Sequence, residues 1–244
     1  ELGEEDLLHL RKIERWGRWC SILGYGTAWI IPNPISAFLM SQGNLTRWAM
    51  LTHHISHRGY DRIPNVPTRY HSRHYAKGWR RWIDWFEWIL PEAWSFEHNT
   101  LHHYHTGEKM DPDVLYDRVH LMRKVQAPLV LKYLVAFFFI CTWKLTYYAP
   151  STLWMLQQLR SRQGSQKIRG INLEMLLTQQ EPAIYHGLHL WAPLTPQGWE
   201  FWRKCLLPYS IGRFGLFPLL FLPLGHLFWR NVLFNSLLAE IFTN

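Results

Sequence analysis

Val135-Ala136-Phe137-Phe138-Phe139-Ile140 lies at the centre of the clearest apolar run in the chain, residues 127–149, and its reading decides the fold. A helix needs about 20 predominantly apolar residues to cross a bilayer, and this run has that length, with Lys132 and Lys144 inside it. Arg123 and Lys124 stand before it, and Tyr147, Tyr148 and Pro150 close it. Charges and aromatic rings of that kind border a membrane. Working upstream, residues 19–40 carry no charge and contain Pro32-Asn33-Pro34. Proline cannot continue a helical ladder, so a first hairpin is expected over 19–55. One arm would end near Ile31 and the other would run from about Ile35 to Ile55. Working downstream, residues 214–243 are apolar apart from His226, Arg230 and Glu240, and Pro218 and Pro223 predict a kink or hairpin there.

Polar segments separate these runs. Residues 1–18 read as an amphipathic lead helix with apolar positions at Leu7, Leu8, Leu10 and Ile13. Residues 56–125 hold eleven Lys or Arg, which points to the cytoplasmic side. Residues 151–213 hold seven and read as a polar interfacial segment. One crossing at 127–149 would place these two basic segments on opposite sides. A hairpin turning near Pro150 would place them on the same side. The expectation is one all-α membrane domain over 1–244, with about four spans arranged as hairpins and a cytoplasmic His-rich helical cap.

Composition supports this. The chain has 244 residues with 15 Trp, 11 Tyr and 13 Phe, and aromatic rings concentrate at membrane interfaces. A mean hydropathy of −0.18 limits the spans to a few. The net charge of +8 suits anionic headgroups or nucleic acid. No nucleic-acid motif accompanies it, so the membrane reading is preferred. Cys20, Cys141 and Cys205 are scattered without a C-x-x-C spacing and read as small core hydrophobes. The chain begins at Glu1 and stops while a helical pattern is still running, so it is expected to be a piece of a longer chain.

Chemistry concentrates in two histidine clusters. Thr52-His53-His54-Ile55-Ser56-His57 ends the first hairpin, and Glu97-His98-Asn99-Thr100-Leu101-His102-His103-Tyr104-His105 lies in the basic segment. Several imidazoles converging on one point usually hold a metal. His53 and His57 are four apart and share a helical face, with His54 in reserve as a ligand or an outer donor. On an α-helix His98, His102 and His105 form one stripe, with His103 about 100° from His102. Glu97 reads as an acceptor for a neighbouring imidazole. In Asp111-Pro112-Asp113 the carboxylates could accept from ligand N–H groups, but a cap on a helix beginning near Pro112 is preferred for Asp111. Trp94 reads as interfacial packing. The H-x-x-H pairs His71/His74 and His186/His189, and the lone His9, His120 and His226, carry less weight. No nucleophile triad, phosphate loop or H-E-x-x-H motif is present.

From about residue 19 onward the chain resembles the membrane fatty acid desaturases. The resemblance rests on His53-x-x-x-His57, on His98-x-x-x-His102-His103 followed by Asp-Pro-Asp, and on the placement of both between hydrophobic hairpins. It implies a non-haem centre of two irons held by His53, His57, His98, His102 and His103. It further implies O2 as co-substrate, an acyl lipid as substrate and a separate electron donor, a b-type cytochrome or a ferredoxin. The irons supply the oxidising power, and the protein positions the acyl chain. The family also has a third box of H/Q-x-x-H-H type, which residues 1–244 lack. That box is expected downstream, and the chain alone is expected to be inactive. Two other outcomes are weighed: a lipid hydroxylase or ketolase with the same metal, and a non-catalytic membrane subunit.

Overall fold

The computed structural model describes residues 3–108, 111, 123–165 and 187–244. In chain order the helices are α1 (Glu4–Ala28), α2 (Pro34–Leu45), α3 (His53–Ser56), α4 (Arg81–Asp84), α5 (Pro91–Phe96), α6 (His103–His105), α7 (Leu129–Trp143), α8 (Ala149–Ser165), α9 (Pro196–Phe201), α10 (Leu207–Ser210), α11 (Phe217–Leu219) and α12 (His226–Thr243). Among the described residues all regular structure is helical, as the apolar patterning predicts. Two compact units result: Glu1–Glu87 with Pro208–Asn244, and Trp88–Leu207.

Five wider π-helical turns interrupt the α-helices among the described residues: Thr46–Thr52, Glu97–His102, Lys144–Tyr148, Trp202–Leu206 and Ile211–Leu216. Three of them stop two residues short of a proline: Pro150, Pro208 and Pro218. A proline inside a helix lacks an N–H and crowds the carbonyl four residues back. An extra residue in the preceding turn relieves that crowding. At Pro150 the carbonyl left without its N–H is that of Thr146, and the Trp191 indole N–H donates to it at 3.4 Å. The other two π turns have no proline behind them. They run directly into His53 and His103.

In the first unit, Glu4, Glu5 and Asp6 place negative charge at the start of α1, where the helix dipole favours it. The lead segment is not a separate helix: α1 runs without a break from Glu4 to Ala28, because the buried stripe Leu7, Leu10, Gly17, Ser21, Gly24 and Ala28 is continuous across residue 18. Its small residues let α2 come close. A Cβ on Gly24 would lie 2.7 Å from Met40 Cγ and 2.8 Å from the Met40 main-chain nitrogen. The expected hairpin is present at Pro32-Asn33-Pro34. Asn33 caps α2 by accepting from the Ser36 N–H at 2.7 Å, and Pro34 takes the first helical position. The hairpin is also tied to α12. Asn235 is fully buried, and its amide donates to the carbonyls of Ala28 and Ile31 at 2.8 and 3.1 Å. Its Oδ1 accepts the Asn33 N–H at 2.9 Å. These bonds satisfy carbonyls that the end of α1 leaves open. The C-terminal apolar segment turns at Leu222–Leu224 and Gly225, whose φ of +132° suits glycine. Arg213 and Glu240 meet inside this unit, 2 % and 5 % exposed, with Nε to Oε1 at 3.1 Å.

In the second unit, α7, the turn Lys144–Tyr148 and α8 form one helix through Pro150, so no hairpin turns there. The part Leu129–Ser161 has 33 residues and is long and apolar enough to cross a membrane. At 1.5 Å per residue it is about 50 Å long, well beyond the ~30 Å of bilayer hydrocarbon. The expected span at 127–149 is therefore its first part. Leu129, Val130, Tyr133, Leu134, Phe137 and Ile140 are at least 60 % exposed on it. A second such helix is Pro196–Leu224, whose residues from Pro208 onward belong to the first unit. Among the described residues these two pass the test of length and apolarity. Leu153 on α8 is fully buried, Gln157 donates to Glu200 at 2.9 Å, and Trp202 donates to the Trp191 carbonyl at 3.1 Å. Cys20 and Cys205 are buried and Cys141 is half-buried; none of the three forms a disulfide.

Candidate metal centre

The first histidine group belongs to the first unit. The π turn Thr46–Thr52 is held from two sides. The Thr52 hydroxyl donates to the Arg47 carbonyl at 2.8 Å, and it lies 3.1 Å from the Tyr75 hydroxyl. Tyr75 in turn donates to the Asp84 main-chain carbonyl at 3.0 Å. The chain leaves the helix at Arg58, in the left-handed conformation with φ +63°. Between these fixed ends the rings of His53 and His57 stand 4.8 Å apart, as their four-residue spacing predicts. His54 is exposed, with its ring 5.7 Å from that of His53.

The second group belongs to the second unit, and here the winding departs from the sequence expectation. On an α-helix His103 would lie about 140° from His98. The π turn Glu97–His102 places an additional residue in the turn, so His98 is flanked by both His102 and His103. Nε2 of His98 lies 3.1 Å from Nε2 of His103, with the two rings nearly perpendicular. The rings of His98 and His102 stack at 5.3 Å. The α-helical stripe is broken at its far end. His105 leans the other way, with Nδ1 3.0 Å from the exposed carboxylate of Glu108.

Asp111 takes the other role weighed for it, as an acceptor for a histidine N–H, and the helix it was expected to cap lies outside the described residues. Its buried carboxylate accepts from His102 Nδ1–H at 2.9 Å and from the Gly107 N–H at 2.8 Å. Gly107 has φ +80°, a turn that brings Asp111 back onto the histidines. With the proton held on Nδ1, the Nε2 lone pair of His102 is left for a metal. Pro112 and Asp113 lie outside the described residues. Asp111→Asn is expected to lower metal affinity about 10- to 100-fold, the usual loss when the acceptor behind a ligand histidine is removed. Titration with a metal-competing chelator measures it, and an unchanged affinity would remove Asp111 from the site.

Two further residues were not read as site residues. Trp94 is 3 % exposed and stacks on His98 with ring centroids 4.4 Å apart and 12° between planes. It is a wall of the site and not interfacial packing. Its four-residue spacing from His98 was the available signal. Tyr148 donates to Glu97 Oε2 at 2.9 Å. Glu97 is fully buried, and this phenol reaches it from the long helix. That bond fixes the start of the π turn.

Among the described residues the remaining histidines gather no such group. His71 lies 3.6 Å from Asp61, and its ring is 6.5 Å from that of His74. His9, His189 and His226 are exposed. His120 and His186 lie outside the described residues.

The donor set fits a metal. A divalent ion takes imidazole nitrogen at about 2.0–2.1 Å, so neighbouring ligands stand about 2.9 Å apart in octahedral and about 3.3 Å apart in tetrahedral geometry. The His98–His103 separation matches this. An all-imidazole set suits iron, zinc or copper.

No protein-family model, curated protein or solved structure matches this chain.

Proposed function

We propose that His53 and His57 of the first histidine group and His98, His102 and His103 of the second are the ligands of a non-haem di-iron centre that desaturates an acyl lipid. The observation that carries this reading is the 3.1 Å approach of His98 and His103 in a π turn that no proline explains. Turns of this kind recur at functional sites. When bound, the irons supply the oxidising power for O2 chemistry, and electrons come from a separate donor, a b-type cytochrome or a ferredoxin. The chain's own residues do the rest. Asp111 holds the His102 proton on Nδ1, Trp94 keeps the His98 ring in place and excludes water on that side, and Tyr148 fixes Glu97 behind the turn.

The setting is a membrane. The exposed apolar side chains of α7 require apolar surroundings, and Pro196–Leu224 is a second candidate crossing. The α1–α2 hairpin and the C-terminal hairpin complete about four crossings in this reading. The test is product analysis of the native chain supplied with an acyl lipid, O2 and reductant. A new double bond supports the desaturase reading. A hydroxylated or oxo product moves the chain to the lipid hydroxylases or ketolases, and no product with metal bound favours a non-catalytic subunit.

A further inference from the structure

The first unit contains a cavity that the metal chemistry does not use. It is lined by Arg18, Arg47, Arg69 and Arg80, with Glu14 and Asp84, has a volume of about 110 Å³ and is open to solvent. Four guanidinium groups against two carboxylates leave two positive charges facing it. The carboxylates are already engaged. Glu14 pairs with Arg18 and with Arg69, and accepts from the Tyr70 hydroxyl. Asp84 accepts both Nε and Nη2 of Arg80, at 2.9 and 2.8 Å, and the Ala76 N–H at 3.2 Å.

Arg47 is different. Its described hydrogen bond goes to the neutral Ser21 hydroxyl at 3.0 Å. Among the described residues no carboxylate lies within ion-pair distance of it. A half-buried guanidinium without a counter-charge is costly unless an anion joins it. Burial and the Glu14 carboxylate push the Tyr70 phenol up to about 12, so it stays protonated at neutral pH. Its proton goes to Glu14, so the donors left for a ligand are those of the guanidinium groups.

We propose that this cavity binds a phosphate group, with Arg47 as the principal contact and Arg69 at its side. The guanidinium fork matches phosphate oxygens two at a time. Two uncompensated positive charges match a phosphate monoester dianion. The cavity is too small for a folded partner and large enough for a headgroup. It lies where the charged half of α1, with Glu14 and Arg18, meets the uncharged stretch beginning at residue 19. Phosphate at such a place comes either from a lipid headgroup or from solution. The proposal does not depend on the metal reading.

Two probes distinguish the sources, with the native chain in detergent and then in nanodiscs. Calorimetric titration with inorganic phosphate is expected to show one saturable site. Its Kd is expected to rise at least about tenfold in Arg47→Gln and in Arg69→Gln, and to stay unchanged in Arg62→Gln, an exposed arginine outside the cavity. Nanodiscs carrying phosphatidate in place of phosphatidylcholine then assign the source. Loss of phosphate binding in phosphatidate discs identifies a headgroup site, and undiminished binding identifies a site for soluble phosphate. The absence of saturable phosphate binding, or equal affinity in wild type and both cavity variants, overturns the proposal. Arg69 lies at the rim, so Arg69→Gln keeps the test decisive if Arg47→Gln fails to fold.

Discussion

His98→Ala is expected to lower bound metal by more than about tenfold while the chain still inserts and folds. His98 is the hinge of the second group: Trp94 stacks on one face, His102 stacks at 5.3 Å, and His103 Nε2 stands 3.1 Å away. Loss of even an outer partner of a ligand histidine costs about 10- to 100-fold in affinity, so loss of the ligand itself should cost no less. His105→Ala is the internal control. His105 pairs with exposed Glu108, and its removal is expected to leave metal content unchanged. Elemental analysis of both variants reads the difference. Equal metal in the two would mean that the π turn does not build the site.

The second large effect concerns stability. Glu240→Ala is expected to destabilise the first unit by about 3–5 kcal/mol, the usual cost of leaving one charge of a buried pair alone. Arg213 would lose its carboxylate, while Tyr209 and Asn44 would lose an acceptor at the same oxygen. Replacing both partners by apolar residues, Arg213→Met with Glu240→Leu, is expected to recover most of that loss, because no uncompensated charge remains. Denaturant titration in micelles compares the three proteins. A double variant as unstable as Glu240→Ala would mean that the pair acts through packing and not through charge.

Local chemistry made much of this fold legible. Pro32-Asn33-Pro34 contains a cap residue and a first-turn proline, so the hairpin and the start of α2 followed from three residues. The apolar stretches predicted an all-helical chain, and the first histidine pair followed from four-residue spacing alone. What escaped depends on contacts distant in sequence or on departures from α winding. Asn235 closes the end of α1 from about two hundred residues away, and no local pattern announces it. The long helix passes through Pro150 because a π turn and the Trp191 indole accommodate the proline, so the proline did not mark a turn. The same winding overturned the α-helical stripe at His98, His102 and His105. An H-x-x-x-H-H run cannot turn both adjacent histidines to one face of an α-helix, and that conflict was the available sign of a wider turn. Asp111 was visible as a carboxylate near the cluster, but the turn at Gly107 that aims it was not.

Histidines that hold iron leave a signature in the metal content of the chain. The most direct test is the number of metal atoms per chain, measured by elemental analysis on the native chain purified without chelators and repeated with His98→Ala. About two irons per chain, falling to background in the variant, is the expected result. Zinc alone, or iron that does not respond to His98→Ala, would contradict it.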